Sequence, residues 1–327
     1  MEIHRDIYKF VPEKKTAIAL GRFDGVHVGH MTLLNKAVEF ARENDFLSVC
    51  FSFREETYPG AETRGVLTTE KEKLDLIRDA GIDVTLHPAF APPLTEITHD
   101  KFLHGYLINQ WKAGMIIAGY DFKFGKNREG DTDFLRKEGE KRGVKVEIVR
   151  PVTSEGEIVK ATIIRGLLRD GLLDKANRLL GRGYSVTVKQ VPGRRLGSRI
   201  GFPTLNFHWP EGKVPLKYGV YAVRVRSFAL RDDPSEKIKP SANGVANFGL
   251  RPTVDEGKRT VPVLEVHILD PGKMIDLIAE PPSPDTDFTV EFVSFMRNEQ
   301  RFETLDSLKS AIDEDVKKAR EIMAIRV

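Results

Sequence analysis

Apolar and polar positions along the chain follow two rhythms. The run TAIAL (16–20) has the length and bulk of a short buried strand. A glycine-rich turn follows. Apolar residues then fall at Met31, Leu34, Val38 and Ala41, the spacing of one helical face. LSVCFSF (47–53) reads as the next strand. Strand, helix and strand within about 40 residues make a βαβ unit, which implies parallel strands and a right-handed crossover. The rhythm continues with a helix over 70–80, an apolar segment over 114–119, a helix over 132–142 and a strand over 144–149. Up to residue 180 the pattern predicts a doubly wound, Rossmann-like α/β domain.

After Gly181 the segments YSVTVKQV, GVYAVRVRSF, LEVHILD and FTVEFVSFM are separated by turns rich in Gly, Pro and Asp, which predicts an antiparallel barrel or sandwich. The expected domains are therefore 1–181 and 182–327. Leu305, Leu308, Ile312, Val316 and Ile322 lie close to one helical face, so the chain should close with an amphipathic helix packed on the strands. The stretches 231–240 and 271–287, rich in Pro and charge, read as long loops.

Composition narrows the class. At 327 residues the chain exceeds one ordinary core, and 40% apolar residues suit a globular protein. No apolar run approaches the roughly 20 residues of a membrane span, and MEIHRDIYKFVPEKK has no signal-peptide core, so a cytoplasmic protein without a membrane partner is expected. The 51 basic and 48 acidic residues are dispersed, leaving no basic arm for nucleic acid. Cys50 is the only cysteine, which excludes an internal disulfide and a thiolate metal site; its setting is that of a small buried hydrophobe.

The turn GRFDGVHVGH (21–30) carries the first chemistry. A strand-to-helix turn exposes backbone N–H groups and the positive helix end, a seat for phosphate. Gly21, Gly25 and Gly29 keep the backbone accessible, and His27 and His30 stand at the helix entrance, where a surface or capping role is the plain alternative. The string resembles the GxFDGxHxGH signature of the nucleotidyltransferase superfamily, and specifically the bacterial bifunctional riboflavin kinase/FMN adenylyltransferase family. The resemblance implies that His27 and His30 are catalytic and that Gly21, Phe23, Asp24, Gly25 and Gly29 bind nucleotide. GYDFKFG (119–125) is similar to the family's G-x-D-F-x-F-G, which implies Asp121 and Phe124 beside the flavin. KATIIRGLLRDG (160–171) resembles SSTxIR, which implies Thr162 and Arg165 at the triphosphate. Lys160 and Ala161 replace two serines, Arg22 replaces a small or amide residue, and FSFREETYPG (51–60) lacks the FxPHP element.

In the second domain, Gly193, Gly197 and Gly201 read on their own as tight-turn glycines, and the resemblance turns them into nucleotide binders. GFPTLN is similar to the riboflavin kinase motif G-F-P-T-x-N, which implies that Thr204 and Asn206 hold Mg²⁺ with ATP; oxygen donors suit a hard cation. Ser198 replaces a common arginine, with Arg199 adjacent. In VLEVHILD the period of two puts Val263, Glu265 and His267 on one face, plainly a solvated one. The resemblance implies that Glu265 is the general base. ANFGLRPT (246–253) resembles the N-x-G-x-R-P-T loop and FMRNEQRF (295–302) resembles F-x-R-x-E-x-x-F, implying flavin-side roles for Asn247 and Arg297. DPGKMIDLIAEPPSPDTD (270–287) is longer than the family's D-F-x-x-x-x-Y-G turn and lacks its tyrosine.

The resemblance thus implies an α/β nucleotidyltransferase domain followed by a riboflavin kinase β-barrel with a carboxy-terminal helix. Riboflavin and ATP would give FMN in the second domain, and FMN and ATP would give FAD in the first, both with Mg²⁺. Two further readings stay open: a kinase whose first domain binds nucleotide without adenylyl transfer, and a flavin- or nucleotide-binding regulator without turnover.

Overall fold

A computed structural model describes residues 1–193, 197, 200–229, 241–250, 262–272 and 286–325, and the chain divides into two compact units, Met1–Ile163 and Ile164–Val327.

The first unit contains a six-stranded sheet with its helices, β1 (Glu2–His4), β2 (Thr16–Leu20), α1 (Val28–Asn44), β3 (Leu47–Phe51), α2 (Ala61–Arg64), α3 (Glu70–Asp79), β4 (Val84–Leu86), β5 (Ala113–Gly119), α4 (Thr132–Glu140) and β6 (Lys145–Val149), followed by a separate hairpin of β7 (Thr153–Ser154) and β8 (Glu157–Ile158). The six strands of the sheet lie in the order β1-β4-β3-β2-β5-β6, and every pairing in it is parallel. Strand alternation supplies two cores. Ala17, Ala19, Cys50, Met115 and Ile117 meet Leu34, Val38 and Ala41 of α1 and Ile77 of α3. Ile18, Leu20, Phe51 and Ile116 meet Phe102, Leu107, Trp111 and Leu135 on the other face. The small side chains of Ala17 and Ala19 let α1 lie close to the central strand. Cys50 is fully buried as expected, and burial pushes its thiol pKa up. A π-type helix over Lys101–Gln110, which buries Phe102, Leu103 and Leu107, was not among the expected elements.

The second unit begins with most of α5 (Ala161–Asp170) and with α6 (Leu173–Leu180), ahead of the expected boundary at 181/182. The cause is local: Asn177 of α6 donates from Nδ2 to the Phe292 carbonyl at 3.0 Å and accepts the Tyr184 N–H at 2.7 Å, tying the helix to the strands. The strands β9 (Tyr184–Val191), β10 (Thr204–His208), β11 (Gly219–Ala229), β12 (Ser241–Leu250), β13 (Pro262–Ile268) and β14 (Thr286–Asn298) close into an antiparallel barrel ordered β10-β13-β12-β11-β14-β9. Phe207, Tyr221, Phe248, Phe288 and Phe292 are fully buried and fill its interior.

The last helix, Leu305–Ile325, covers part of the outer barrel face, where Ala319 and Met323 pack on Val220, Ala222, Val245 and Val293. The helix was expected, and Val316 and Ile322 of its expected stripe pack against this cluster. Leu305 is 57% exposed, and burial is carried by Asp315, Ala319 and Met323, which follow one another at four-residue steps. ANFGL is also not a loop. It lies in β12, whose glycines Gly244 and Gly249 interrupt the apolar alternation that marks a strand. Of the two expected long loops, 231–240 and 273–285 lie outside the described residues, as do Ser198, Arg199 and 251–253.

Candidate functional site

In the first unit β2 is the topological switch: the chain proceeds to β3 on one side and later to β5 on the other. Open parallel sheets bind ligands at the carboxyl ends of strands beside such a switch. Leu20 pairs with Ala118, so the turn after β2 and the segment 119–125 after β5 leave the sheet at the same edge. Asp121 is exposed there, whereas Phe124 is 7% exposed and packs in the core on Phe102 and Phe134.

The turn is held from below by a buried carboxylate. Asp24 Oδ1 accepts the N–H groups of Leu67 and Thr68 at 2.9 and 3.3 Å, and Thr68 Oγ1 accepts the Gly25 N–H at 3.2 Å. Gly25 has φ +78°, and a Cβ there would stand 2.7 Å from Leu67 Cδ1. Phe23 is fully buried. His27 is the N-cap of α1, its Nδ1 accepting the His30 N–H at 3.3 Å, which leaves Nε2 to carry the proton of the neutral ring. The two imidazoles stack with centroids 3.6 Å apart and planes at 14°. No acidic residue occupies the first turn of α1, so its positive end is uncompensated there. The histidine pair is thus both a cap and a compact donor surface at a helix N-terminus, a setting suited to phosphate oxygens.

Beside this turn lies a charged cluster that sequence reasoning missed. Glu55, buried after β3, accepts from Arg22 Nη2 at 2.8 Å and Nε at 3.4 Å, and from Arg64 Nη2 at 3.0 Å. Lys73 of α3, equally buried, lies 3.8 Å from Glu55. Its Nζ donates to the carbonyls of Arg22 and Phe53 at 3.1 and 2.6 Å and to Ser52 Oγ at 3.2 Å. The single proton of Ser52 is already given to the Arg22 carbonyl, at 2.8 Å. Lys73 thus donates to two carbonyls in this corner, and burial lowers its pKa against the opposing pull of Glu55 and Asp24. Burial raises the Glu55 carboxyl, and Lys73 and Arg22 outweigh it and hold it below the ordinary value. One signal was available: Lys73 stands one helical turn before the buried Ile77, on the core-facing side of α3.

Thr162 is exposed in the first turn of α5, and Arg165 one turn later is 6% exposed. Lys160, just ahead, is exposed.

On the barrel, register does what sequence spacing alone could not. Asn206 of β10 lies directly opposite Glu265 of β13, and Glu265 directly opposite Asn247 of β12. Opposite residues share a face with Cβ atoms about 5 Å apart. Leu264 and Val266 point inward, so Glu265, Asn206 and Asn247 form a row on the outer face of the barrel, in which Asn206 is itself buried and Glu265 and Asn247 are half-buried. Thr204 and His267 are opposite one another in the adjacent row. His267 Nδ1 donates to the Pro203 carbonyl at 2.9 Å, fastening the GFPT segment to β13. A Cβ on Gly193 would stand 2.3 Å from Asn206 Nδ2, so the loop backbone crosses directly over this amide. The Gly197 carbonyl accepts the N–H groups of Ile200 and Phe202, a tight turn that fits the plain reading of its glycine, and Gly201 has φ +92°. Arg297 is aligned with Asn247 through Val220, yet its guanidinium grips Asp315 of the last helix at 2.9 and 2.7 Å.

Oxygen donors from Thr204, Asn206 and Glu265 meet on one surface, and among the described residues no group of three His, Cys, Asp or Glu side chains could hold a metal by itself. Such a donor set fits Mg²⁺, which keeps much of its shell as water and substrate phosphate.

Comparison with known proteins agrees with both halves. The FAD synthetase family matches residues 10–163 and the riboflavin kinase family residues 180–323. The chain belongs to the bifunctional riboflavin kinase/FMN adenylyltransferase family. Relatives bearing that name are 32% identical in Escherichia coli K12, over 99% of both chains, and 34% identical in Pseudomonas fluorescens, over 99% of this chain and 98% of the relative. The Haemophilus influenzae relative is 32% identical over 93% of each chain. A crystal structure described as a macrolide-efflux protein from Streptococcus pneumoniae matches with a TM-score of 0.81 and 23% identity, over 97% of this chain and 98% of that one. That likeness speaks for the fold alone. Among the described residues no helix is long and apolar enough to cross a membrane. The family boundary at residue 180 falls beside the expected 181/182, while packing assigns α6 and most of α5 to the barrel unit.

Proposed function

We propose that the chain phosphorylates riboflavin to FMN on the barrel unit and adenylylates FMN to FAD on the sheet unit, using ATP in both reactions. The observation that carries the kinase half is the outer row of Asn206, Glu265 and Asn247 beside Thr204. Glu265 accepts the proton of the ribityl 5′-hydroxyl as its oxygen bonds to the γ-phosphorus and the bridging P–O bond to ADP breaks. A carboxylate cannot ionise an alcohol outright, so its placement matters more than its basicity. Thr204 and Asn206 are the residues that would hold Mg²⁺, which when bound neutralises phosphate charge. The backbone at Gly193 lies against Asn206 and limits the room beside its amide.

For adenylyl transfer, an FMN phosphate oxygen bonds to the α-phosphorus of ATP and pyrophosphate leaves. His27, His30 and the start of α1 offer hydrogen-bond donors to the charge that develops on these oxygens. Thr162 and Arg165 are assigned to the triphosphate and Asp121 to the flavin side. A need for ATP at both sites supports the cytoplasmic location.

Incubation with riboflavin, ATP and Mg²⁺, followed by chromatography, should yield FMN and then FAD. Accumulation of FMN alone would remove adenylyl transfer, and unchanged riboflavin would remove both activities. Glu265→Gln should abolish FMN formation while conversion of supplied FMN to FAD continues, and His30→Ala should do the reverse. Loss of both reactions in either folded variant would refute this division of labour.

A further inference from the structure

Two departures from the family pattern, Arg22 in the phosphate turn and the FREETYPG segment after β3, are physically one feature. Arg22 makes a two-point contact with Glu55 of that segment, and its guanidinium carbon lies 3.8 Å above the ring of Tyr58 from the same segment. Tyr58 is braced in turn by Phe90, with centroids 4.5 Å apart. The backbone of Arg22 is fixed as firmly as its side chain, because its carbonyl accepts from both Ser52 and Lys73. The guanidinium is therefore held in one orientation before any ligand arrives, which removes most of the ordering cost of using it.

Arg22, Arg64 and Lys73 converge on the carboxylate of Glu55, and Asp24 adds a second negative charge felt by Arg22 and Lys73. Ion pairs of this kind gain little over a packed apolar group in stability, so the cluster is poorly explained as scaffolding alone. Arg22 contacts Glu55 through Nε and Nη2, its side chain is 36% exposed, and among the described residues its Nη1 makes no hydrogen bond. It also immediately follows Gly21, at the carboxyl end of the switch strand and in the turn that caps α1.

Resting on the adenylyl-transfer reading of this unit, we propose that Arg22 contacts phosphate oxygens of a substrate in that site and that Glu55 is its positioning residue. The ligand chemistry is a phosphoryl oxygen, from either the FMN monophosphate or the ATP triphosphate. The pairing explains why the turn can depart from its usual small or amide residue: the segment that lost FxPHP supplies the carboxylate and ring that aim the new guanidinium.

The test uses full-length Arg22→Gln and Glu55→Gln, with FAD formation followed from supplied FMN and ATP and riboflavin phosphorylation measured in parallel. Loss of a charge-assisted contact predicts a rise of about 10- to 100-fold in one KM for Arg22→Gln, and a smaller rise in the same KM for Glu55→Gln. The KM for FMN assigns the contact to the flavin phosphate and the KM for ATP to the triphosphate. Riboflavin phosphorylation should stay unchanged. Unchanged KM values for both substrates in Arg22→Gln would overturn the proposal. Should that variant unfold, Arg22→Lys is read instead; it keeps the charge without the fork and must raise the same KM. Titration calorimetry provides a readout without turnover, in which Arg22→Gln weakens one of two ATP or FMN sites and spares the other. A wild-type chain that binds both ligands but forms no FAD would refute adenylyl transfer alone, whereas unshifted titrations of Arg22→Gln would refute the Arg22 assignment alone.

Discussion

The last helix is fastened to the barrel by a contact whose strength can be worked out. Asp315 is buried, and both its oxygens accept from Arg297, Oδ1 from Nε at 2.9 Å and Oδ2 from Nη2 at 2.7 Å. Breaking a wholly buried pair costs about 3–5 kcal/mol. The Arg297 side chain is 24% exposed and can turn a released guanidinium toward water, which reduces the expected cost of Asp315→Asn to about 2 kcal/mol. For a unit of this size that corresponds to a fall of about 4–8 °C in Tm. The chain's two tryptophans make the measurement specific: Trp111 is buried in the sheet unit and Trp209 in the barrel unit. Thermal unfolding followed by fluorescence in a Trp111→Phe background therefore reports the barrel alone. Asp315→Leu combined with Arg297→Met should recover most of the loss, because a matched apolar pair desolvates no charge. An unshifted Tm in Asp315→Asn, or a double variant as unstable as the single one, would refute the assignment of this contact as the clasp of the helix.

Other expectations follow from single sites. Gly193→Ala should lower riboflavin phosphorylation at least tenfold while sparing FAD formation from supplied FMN, since the new methyl would displace Asn206; equal kinase rates would show that the loop can shift freely. His87 is fully buried, and burial, aided by the positive charge of Lys73, pushes its imidazole down to about 4. The unfolded chain takes up this proton near pH 6.5 and the folded chain does not, so the stability contribution is complete above that pH. It is lost as pH falls toward 4, by up to about 3 kcal/mol. His87→Leu should flatten that part of the urea-unfolding profile, and a slope equal to wild type would assign the proton uptake elsewhere.

Much of the fold was legible because local and global signals agreed. At TAIAL-GRFDGVHVGH the apolar run, the glycines and the helical spacing from Met31 all describe one strand-turn-helix, and all are contiguous in the chain. Glu265 could be placed on the polar side of its strand from the period of two. That Asn206 and Asn247 stand on either side of it depends on pairing between strands far apart in sequence, which spacing does not encode. Ladder pairing likewise turned ANFGL into a strand despite its glycines. The Arg22–Glu55–Lys73 cluster was missed for a related reason: Lys73 alone carried a local signal, its place one turn before Ile77, and only folding brings positions 22, 55 and 73 together. Arg297 shows the converse, since its motif suggested a ligand and the structure gives it Asp315.

Because the barrel is filled with aromatic rings and its polar row lies on the outer face, the two sides of β10 and β13 face different selection. Along β10 and β13 a single step in sequence passes from a position answerable to packing, such as Leu205 or Leu264, to one answerable to chemistry, such as Asn206 or Glu265. The interior can be repacked for thermal resistance without entering the substrate's surroundings, and half-buried positions of the outer row such as Glu265 can be altered without disturbing the aromatic filling. Such a barrel is an evolvable one, in which durability and catalytic repertoire can be changed on separate letters of the same strand.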